Sequence, residues 1–117
     1  MFFLEEYNKI DLNKTEQDVF KYLCLKMKLN KLNVVDVKID DMAIYMPPKP
    51  ISKSSITRAL NTLHRNKLIK RTVRVNGQKV NGRYVLNPRY VLKGFCSGRR
   101  DFIESFDSNK WFEYNLI

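Results

Sequence analysis

The spacing of apolar residues changes several times along the chain, and the first regular pattern is helical. In "LNKTEQDVFKYLCLKMKL" apolar residues recur at the spacing of one helix face. Asn13 lies three residues before Glu16, a capping-box arrangement in which each side chain bonds the backbone N–H of the other residue. The pattern therefore predicts a helix over 14–29.

A short alternating segment follows, and then a short helix. "NVVDVKID" has apolar residues at every second position, Val35, Val37 and Ile39, which predicts a short, half-buried β-strand. Asp40 is in position to cap a helix over "DMAIYM". That helix has to end before Pro47–Pro48, because proline excludes helical geometry from the residue before it.

The clearest amphipathic pattern lies in "ISKSSITRALNTLHRNKLIKR". Ser52 is a favourable N-cap, and the spacing predicts a helix over 53–66 that contains no Asp or Glu. Four apolar residues fall within a stripe about 100° wide, as on a core-facing surface: Ile56, Ala59, Leu60 and Leu63. The outward face and its flank carry only polar residues: Lys53, Ser54, Thr57, Arg58, Asn61 and Arg65.

Two β-rich runs in "LIKRTVRVNGQKVNGRYVL" predict a hairpin. Asn76–Gly77 is the strongest turn signal, because a type I′ turn needs positive φ at both central residues, and Asn81–Gly82 is the alternative turn. A turn at the first position predicts four pairs: Ile69 with Tyr84, Val73 with Val80, Lys70 with Arg83, and Arg74 with Lys79. Like charges directly opposite each other destabilise a ladder, so the two cationic pairs predict an anionic ligand beside the hairpin.

The rest of the chain predicts two more helical segments. In "LNPRYVLKG", Asn87 is a candidate N-cap, Pro88 the first helical residue and Gly94 the left-handed stop. The tail has large apolar residues at helical spacing: Phe102, Ile103 and Phe106. Because exposing them is unfavourable, the tail either folds back or forms a homodimer seam. We expect a single domain over 1–117, with a core over 12–94 and a C-terminal extension over 95–117.

Charge is distributed unevenly along the chain. The 117 residues carry a formal net charge of +10. Residues 42–100 contain fourteen Lys and Arg but no Asp or Glu, whereas each flanking segment contains more acids than bases. Exposed surfaces normally mix both signs, so the acid-free segment favours a polyanionic partner. The chain has no signal-peptide pattern and no apolar run of membrane-span length, so we expect a cytoplasmic protein with no membrane partner.

The order helix, strand, short helix, turn, helix and hairpin is typical of a winged helix-turn-helix. The predicted fold class is therefore α+β, mostly helical, with a C-terminal helical extension. In this fold the helix after the turn enters the major groove of double-stranded DNA. Carboxylates on that helix would be repelled by the phosphates, which accounts for their absence over 53–66.

Side-chain chemistry predicts a role for each residue of this interface. Arg58 and Arg65 can each donate two hydrogen bonds to guanine, Asn61 can pair with adenine, and Thr57 can contact the methyl group of thymine. Three residues at the amino end of the helix are suited to phosphate: Lys53, Ser54 and Ser55. Four hairpin cations would contact the DNA backbone or the minor groove: Lys70, Arg74, Lys79 and Arg83.

The sequence offers little for catalysis, metals or cofactors. One histidine, His64, and two distant cysteines, Cys24 and Cys96, cannot form a structural zinc site. None of the four glycines is followed by lysine, as a P-loop requires. We therefore predict no cofactor, no metal and no enzymatic activity. A protein-interaction module and a nucleic-acid enzyme are weaker alternatives to DNA binding.

"ISKSSITRALNTLHRNKLIKR" resembles the winged-helix segment of bacterial regulators of the MarR and GntR kind. With "VLNPRYVLKG" and "RRDFIESF" after the hairpin, the chain resembles RepL-like plasmid replication proteins over roughly residues 12–107. That resemblance implies a replication initiator that binds origin DNA, with Ser54, Thr57, Arg58 and Asn61 at recognition-helix positions. A transcriptional regulator that binds an operator is the alternative. The two Asn-Gly pairs of a longer wing and the acidic segment "MFFLEEYNKID" depart from the family pattern.

Overall fold

Helices and a small antiparallel sheet make up an α+β fold. The computed structural model describes residues 3–27, 33–46, 50–73, 79–92 and 99–108, without the side chains of residues 72–73 and 79–81. The described elements, in chain order, are α1 (Leu4–Asn8), α2 (Lys14–Lys26), β1 (Val34–Asp36), α3 (Ile39–Tyr45), α4 (Lys53–Arg65), β2 (Ile69–Val73), β3 (Lys79–Leu86) and α5 (Arg99–Ser108). The strands pair in the order β1-β3-β2.

The first long helix, α2, begins where the sequence predicts. The Asn13 side chain accepts a hydrogen bond from the Glu16 N–H at 2.8 Å, and Glu16 accepts one from the Asn13 N–H at 3.0 Å, so the capping box is confirmed. The predicted end at residue 29 is wrong, because Met27 is already extended and its side chain is buried. Packing of Met27 into the core therefore stops the helix after Lys26.

Strand β1 and helix α3 differ from the alternating pattern that predicted them. The strand is only three residues long, and Ile39, predicted as part of it, begins α3. Lys38 is the N-cap residue, and Asp40 lies inside the first turn, so the prediction that Asp40 caps the helix is wrong. Val34 and Val35 are both buried, so the strand has two covered faces at this point instead of one.

Helix α4 follows its sequence pattern closely. The Ser52 hydroxyl accepts a hydrogen bond from the Ser55 N–H at 3.2 Å, which confirms the predicted N-cap. The four apolar residues of the predicted stripe are all buried: Ile56, Ala59, Leu60 and Leu63. The stripe faces the main core, where it meets the buried side chains of α2 and one face of the sheet.

The carboxyl end of α4 adopts a left-handed cap at a lysine. Lys67 has a φ of +60°, and the N–H of Leu68 donates to the carbonyl of Leu63 at 3.0 Å. This is the Schellman arrangement, in which a left-handed residue satisfies the last carbonyls of a helix and glycine is usual. The cap turns the chain directly into β2, so α4 and the first strand of the hairpin have a fixed relative position.

The register of the hairpin differs from the prediction. The paired residues are Ile69 with Leu86, Lys70 with Val85, Arg71 with Tyr84, and Val73 with Lys79. Three predicted pairs are therefore wrong, including the like-charged pair of Lys70 with Arg83. In the fourth, Lys79 pairs with Val73 instead, and its predicted partner Arg74 lies outside the described residues. One residue separates Arg71 from Val73, whereas four separate Lys79 from Tyr84, so β3 bulges at this point. Asn81–Gly82 lies within β3 and not in the turn, and Asn76–Gly77 lies outside the described residues.

Gly82 permits the bulge in β3. Its φ is +73°, and a Cβ built on it would lie 2.3 Å from the carbonyl oxygen of Val37. The Val37 N–H donates to the Gly82 carbonyl at 2.8 Å, which ties the end of β1 to the bulge. A side chain at this position would therefore face both an unfavourable backbone conformation and a steric clash with backbone atoms.

We expect Gly82→Ala to lower the free energy of unfolding by about 2 to 4 kcal/mol, because φ is positive and the clashing atom is backbone. Chemical denaturation followed by circular dichroism measures the change. Asn tolerates positive φ better than Ala does, so Gly82→Asn separates the two causes. Equal losses in both variants would identify the clash as dominant, and a change within about 0.5 kcal/mol for Gly82→Ala would contradict this account.

The helix predicted after Asn87 is absent. Asn87 does cap a turn, since its side-chain oxygen accepts from the Arg89 N–H at 2.9 Å, but residues 88–90 form only a turn. The carbonyl of Tyr90 instead accepts from the Phe3 N–H at 2.7 Å, and the carbonyl of Val91 accepts from the Asn33 side chain at 2.8 Å. Hydrogen bonds to residues far away in sequence thus take the place of the hydrogen bonds that a helix would form. Gly94 lies outside the described residues.

Helix α5 lies on the face of the sheet opposite to α4. Phe106 is buried against Val34 and Val85, with Phe102 half-buried beside it. The main core, which contains the α4 stripe, instead includes Val35 on the other sheet face. The described part of the tail therefore folds back onto its own domain. Residues 109–117 lie outside the described residues, and the homodimer stays a prediction.

Candidate nucleic-acid interface

The outward face of α4 is exposed and polar. The side chains of Ser54, Thr57, Arg58, Asn61 and Arg65 are all exposed, as the amphipathic pattern predicts. Within the described part of the chain, Arg58, Asn61 and Arg65 make no ion pair or side-chain hydrogen bond. Their guanidinium and amide groups are therefore available to a ligand without loss of an internal contact.

The side chains at the amino end of α4 make more internal contacts than Arg58, Asn61 and Arg65 do. The Ser52 hydroxyl donates to the Ser55 hydroxyl at 2.8 Å and lies 3.3 Å from that of Ser54. Lys53 is exposed, and its ammonium group lies 2.6 Å from a carboxylate oxygen of Asp40 in α3. Hydrogen bonding and the positive charge of Lys53 lower the pKa of the Asp40 carboxyl. Lys53 thus already has an anionic partner.

A groove of about 490 Å³ runs between the first turn of α2 and the outward face of α4. From α4 it is lined by Ser55, Arg58, Ala59, Asn61, Thr62 and Arg65, and from α2 by Asn13, Thr15 and Glu16. The residues from the start of α2, together with Ala59 and Thr62, were not among the predicted site residues. Their contribution depends on how α2 packs against α4, which no local pattern reveals.

Among the described residues that line the groove, Glu16 is the one with a carboxylate. One of its oxygens accepts from the Asn13 N–H at 3.0 Å, and the other accepts from the Asn13 side-chain amide at 2.9 Å. The capping box therefore holds the carboxylate at the α2 side of the groove. The α4 side contributes cations, hydroxyl groups and an amide.

Lys70 and Arg83 lie on the sheet face that is turned away from α4. The Lys70 ammonium donates to the carbonyl of Phe106 at 2.6 Å and lies 4.5 Å from the centre of its ring, and burial lowers the pKa of Lys70. The Arg83 guanidinium donates to Asp36 at 2.7 Å. Arg74 and the side chain of Lys79 lie outside what the structure describes.

Among the described side chains of the hairpin, Arg71 is the cation on the same sheet face as the core side of α4. It pairs with Tyr84, a residue of the main core, and its side chain is exposed. The sequence prediction omitted Arg71, because an incorrect register assigned the outward cations to other positions. The alternation of side chains along β2 would have indicated it once the register was known.

Acids from both flanking segments approach the cations of the acid-free segment. Besides the pairs made by Asp40 and Asp36, Asp107 binds Arg89 through two hydrogen bonds of 2.8 and 2.6 Å. Arg99 donates to the carbonyls of Pro88 and Arg89. Residues 42–100 contain no acidic residue, but in the folded structure acidic side chains from both flanking segments lie against them. Five of the described cations in this segment make neither an ion pair nor a side-chain hydrogen bond with another described residue: Arg58, Arg65, Lys67, Arg71 and Arg100.

No cluster of other reactive side chains lies near this surface in the part of the chain that the structure describes. His64 is exposed on α4, and no group of three metal-binding side chains occurs among the residues the structure describes. Burial raises the pKa of the Cys24 thiol to about 12, so the thiol is neutral near pH 7. Cys96 lies outside the described residues. No helix in the described ranges is long and apolar enough to cross a membrane.

Comparisons with known proteins give no assignment. No protein-family model matches the sequence, no curated protein matches it, and no solved structure matches the fold. The functional interpretation therefore depends on the geometry and chemistry of the α4 surface.

Proposed function

We propose that this protein is a winged helix-turn-helix protein that binds double-stranded DNA through α4. One observation carries the proposal: the outward face of α4 presents Arg58, Asn61 and Arg65, which have no side-chain partner among the described residues, beside a polar groove. Guanidinium and amide groups that project from a helix match the hydrogen-bonding edges of bases in the major groove. A face that served only solubility would mix both charges, and α4 itself carries no acid.

The order of elements supports the fold assignment. Helices α3 and α4 are separated by seven residues and pack on each other, and α4 leads directly into the β2–β3 hairpin. In a winged helix-turn-helix, the second helix of such a pair is the recognition helix and the hairpin is the wing. Under this proposal α4 enters the major groove and the hairpin contacts the adjacent DNA backbone.

The proposed roles follow from chemistry and position. Arg58 and Arg65 bind guanine, Asn61 binds adenine and Thr57 contacts thymine. Ser54, Ser55 and Lys53 bind phosphate. For the wing, Arg71 replaces Lys70 and Arg83, because those two cations lie on the sheet face turned away from α4. Lys70 is held there by Phe106 of α5 and Arg83 by Asp36 of β1. Arg74 and Lys79 keep their proposed backbone role.

The biological process is proposed from the resemblance. Similarity to RepL-like proteins favours initiation of replication at an origin, and an operator-binding regulator is the alternative. Selection of bound sequences from a random duplex pool tests both, since an initiator should enrich a repeated array and a regulator a single palindrome. Enrichment of no sequence would contradict base recognition by α4.

We expect Arg58→Ala to weaken binding to the selected sequence by about 1 to 3 kcal/mol and to relax the preference at one base position. Titration of selected and scrambled duplexes, followed by fluorescence anisotropy, measures both effects. Arg100→Ala is the matched control, because Arg100 is an exposed arginine on α5, on the other side of the sheet. Equal losses in the two variants would contradict a specific role for Arg58.

A further inference from the structure

The ion pair between Lys53 and Asp40 joins the two helices of the proposed DNA-binding unit. Lys53 is the first residue of α4, and Asp40 lies in the first turn of α3. The pair is 2.6 Å long, and both side chains remain largely exposed, at 64% for Lys53 and 75% for Asp40. The contact is therefore formed at the surface that would face a phosphate backbone.

An exposed ion pair of this kind is easily exchanged. Such pairs contribute little net stability, because water screens the attraction and both side chains lose conformational freedom. A DNA phosphate could displace the carboxylate from Lys53 without disturbing the fold. The displaced carboxylate of Asp40 would nevertheless stay close to the phosphate, since its position is fixed by α3.

We infer that Asp40 competes with DNA phosphate for Lys53 and thereby lowers the affinity of this protein for duplex DNA of every sequence. The inference rests on the proposed function. A phosphate contact carries no sequence information, so the competition weakens binding to target and non-target DNA by the same factor. Asp40 thus limits the sequence-independent part of the binding free energy, whereas the bases are recognised elsewhere on α4.

Asp41 provides a matched control on the same helix. It is also exposed and lies in the first turn of α3, but it lines a separate groove with Tyr22, Lys26 and Lys38. Asp40→Asn and Asp41→Asn therefore remove the same charge from adjacent positions. Only the first removes the partner of Lys53.

The experiment measures binding of each variant to a duplex of about 25 base pairs with scrambled sequence and to the selected sequence, from about 50 to 200 mM salt. We expect Asp40→Asn to tighten binding to both duplexes by about threefold to tenfold at the lowest salt, and Asp41→Asn by less than about twofold. The slope of log affinity against log salt should steepen by about 0.9, the value of one extra phosphate contact. When Lys53 is also replaced by methionine, Asp40→Asn should tighten binding by no more than Asp41→Asn does.

Three outcomes would overturn the inference while the proposed function stands. The first is an equal gain in Asp40→Asn and Asp41→Asn, which would indicate only a change in net charge. The second is a gain that persists without Lys53. The third is a gain confined to the selected sequence. Failure of the unaltered protein to bind either duplex at low salt would instead overturn the proposed function. Thermal unfolding of each variant checks that the fold is unchanged.

Discussion

Asn33→Ala should lower the free energy of unfolding by about 3 to 5 kcal/mol, the largest single-residue effect that we expect on stability. Asn33 is fully buried, and its side-chain amide donates to the carbonyls of Leu86 and Val91 at 2.9 and 2.8 Å. Alanine would remove both hydrogen bonds inside the core. Because Asn33 has a φ of +68°, alanine would also occupy an unfavourable backbone region.

Denaturant unfolding followed by circular dichroism measures this loss. Asn33→Gly is the control, because glycine accepts positive φ but cannot replace the amide. We expect the glycine variant to be about 1 kcal/mol more stable than the alanine variant, and still less stable than the unaltered protein. If the free energy of unfolding of either variant lies within about 0.5 kcal/mol of that of the unaltered protein, the buried amide does not hold the start of β1 against the end of β3.

Affinity for duplex DNA should fall by about a thousandfold or more between about 50 and 200 mM salt, as expected for on the order of five to ten neutralised phosphates. The net charge of +10 and the unpaired cations of α4 and β2 are the reason. Fluorescence anisotropy of a labelled duplex at several salt concentrations measures the slope. A flat response would contradict an electrostatic interface.

Two double variants locate the source of this salt dependence. Replacing Arg58 and Arg65 together by glutamine should reduce the magnitude of the slope of log affinity against log salt by up to about 1.8. Each cation that contacts the DNA releases about one counterion, and this variant removes two such cations. Replacing Arg99 and Arg100 by glutamine changes the net charge equally, but on α5, which lies across the sheet from α4. A slope that falls equally in both double variants would assign the effect to total charge and not to the α4 surface.

Local sequence patterns predicted the elements whose structure depends on neighbouring residues. The capping box at Asn13 and the Ser52 cap both depend on atoms within one helical turn, and both are confirmed. The buried stripe of α4 follows from periodicity alone, because one side of a helix has to face the core. The candidate residues on the outward side of α4 are exposed for the same reason.

The hairpin register and the helix after Asn87 were predicted wrongly because both depend on distant partners, whereas the error at Asp40 was a local one. The hairpin register required knowledge of the bulge at Gly82, which is held by Val37 from another strand. The helix predicted after Asn87 is absent because Tyr90 and Val91 bond to Phe3 and Asn33. The acid-free segment likewise appeared unneutralised in the sequence, although Asp107 reaches Arg89 from outside it. Each partner is far away in sequence, so no local window contains the information.

The left-handed lysine at the end of α4 combines a conformational cost with a favourable charge. For a residue with a side chain, a left-handed backbone conformation costs about 1 to 2 kcal/mol relative to a right-handed one. Glycine at position 67 would avoid that cost. The residue instead keeps an ammonium group within one turn of Arg65, at the negative end of the helix dipole. Lys67 therefore places a positive charge at the carboxyl end of α4 at a conformational cost that glycine would avoid.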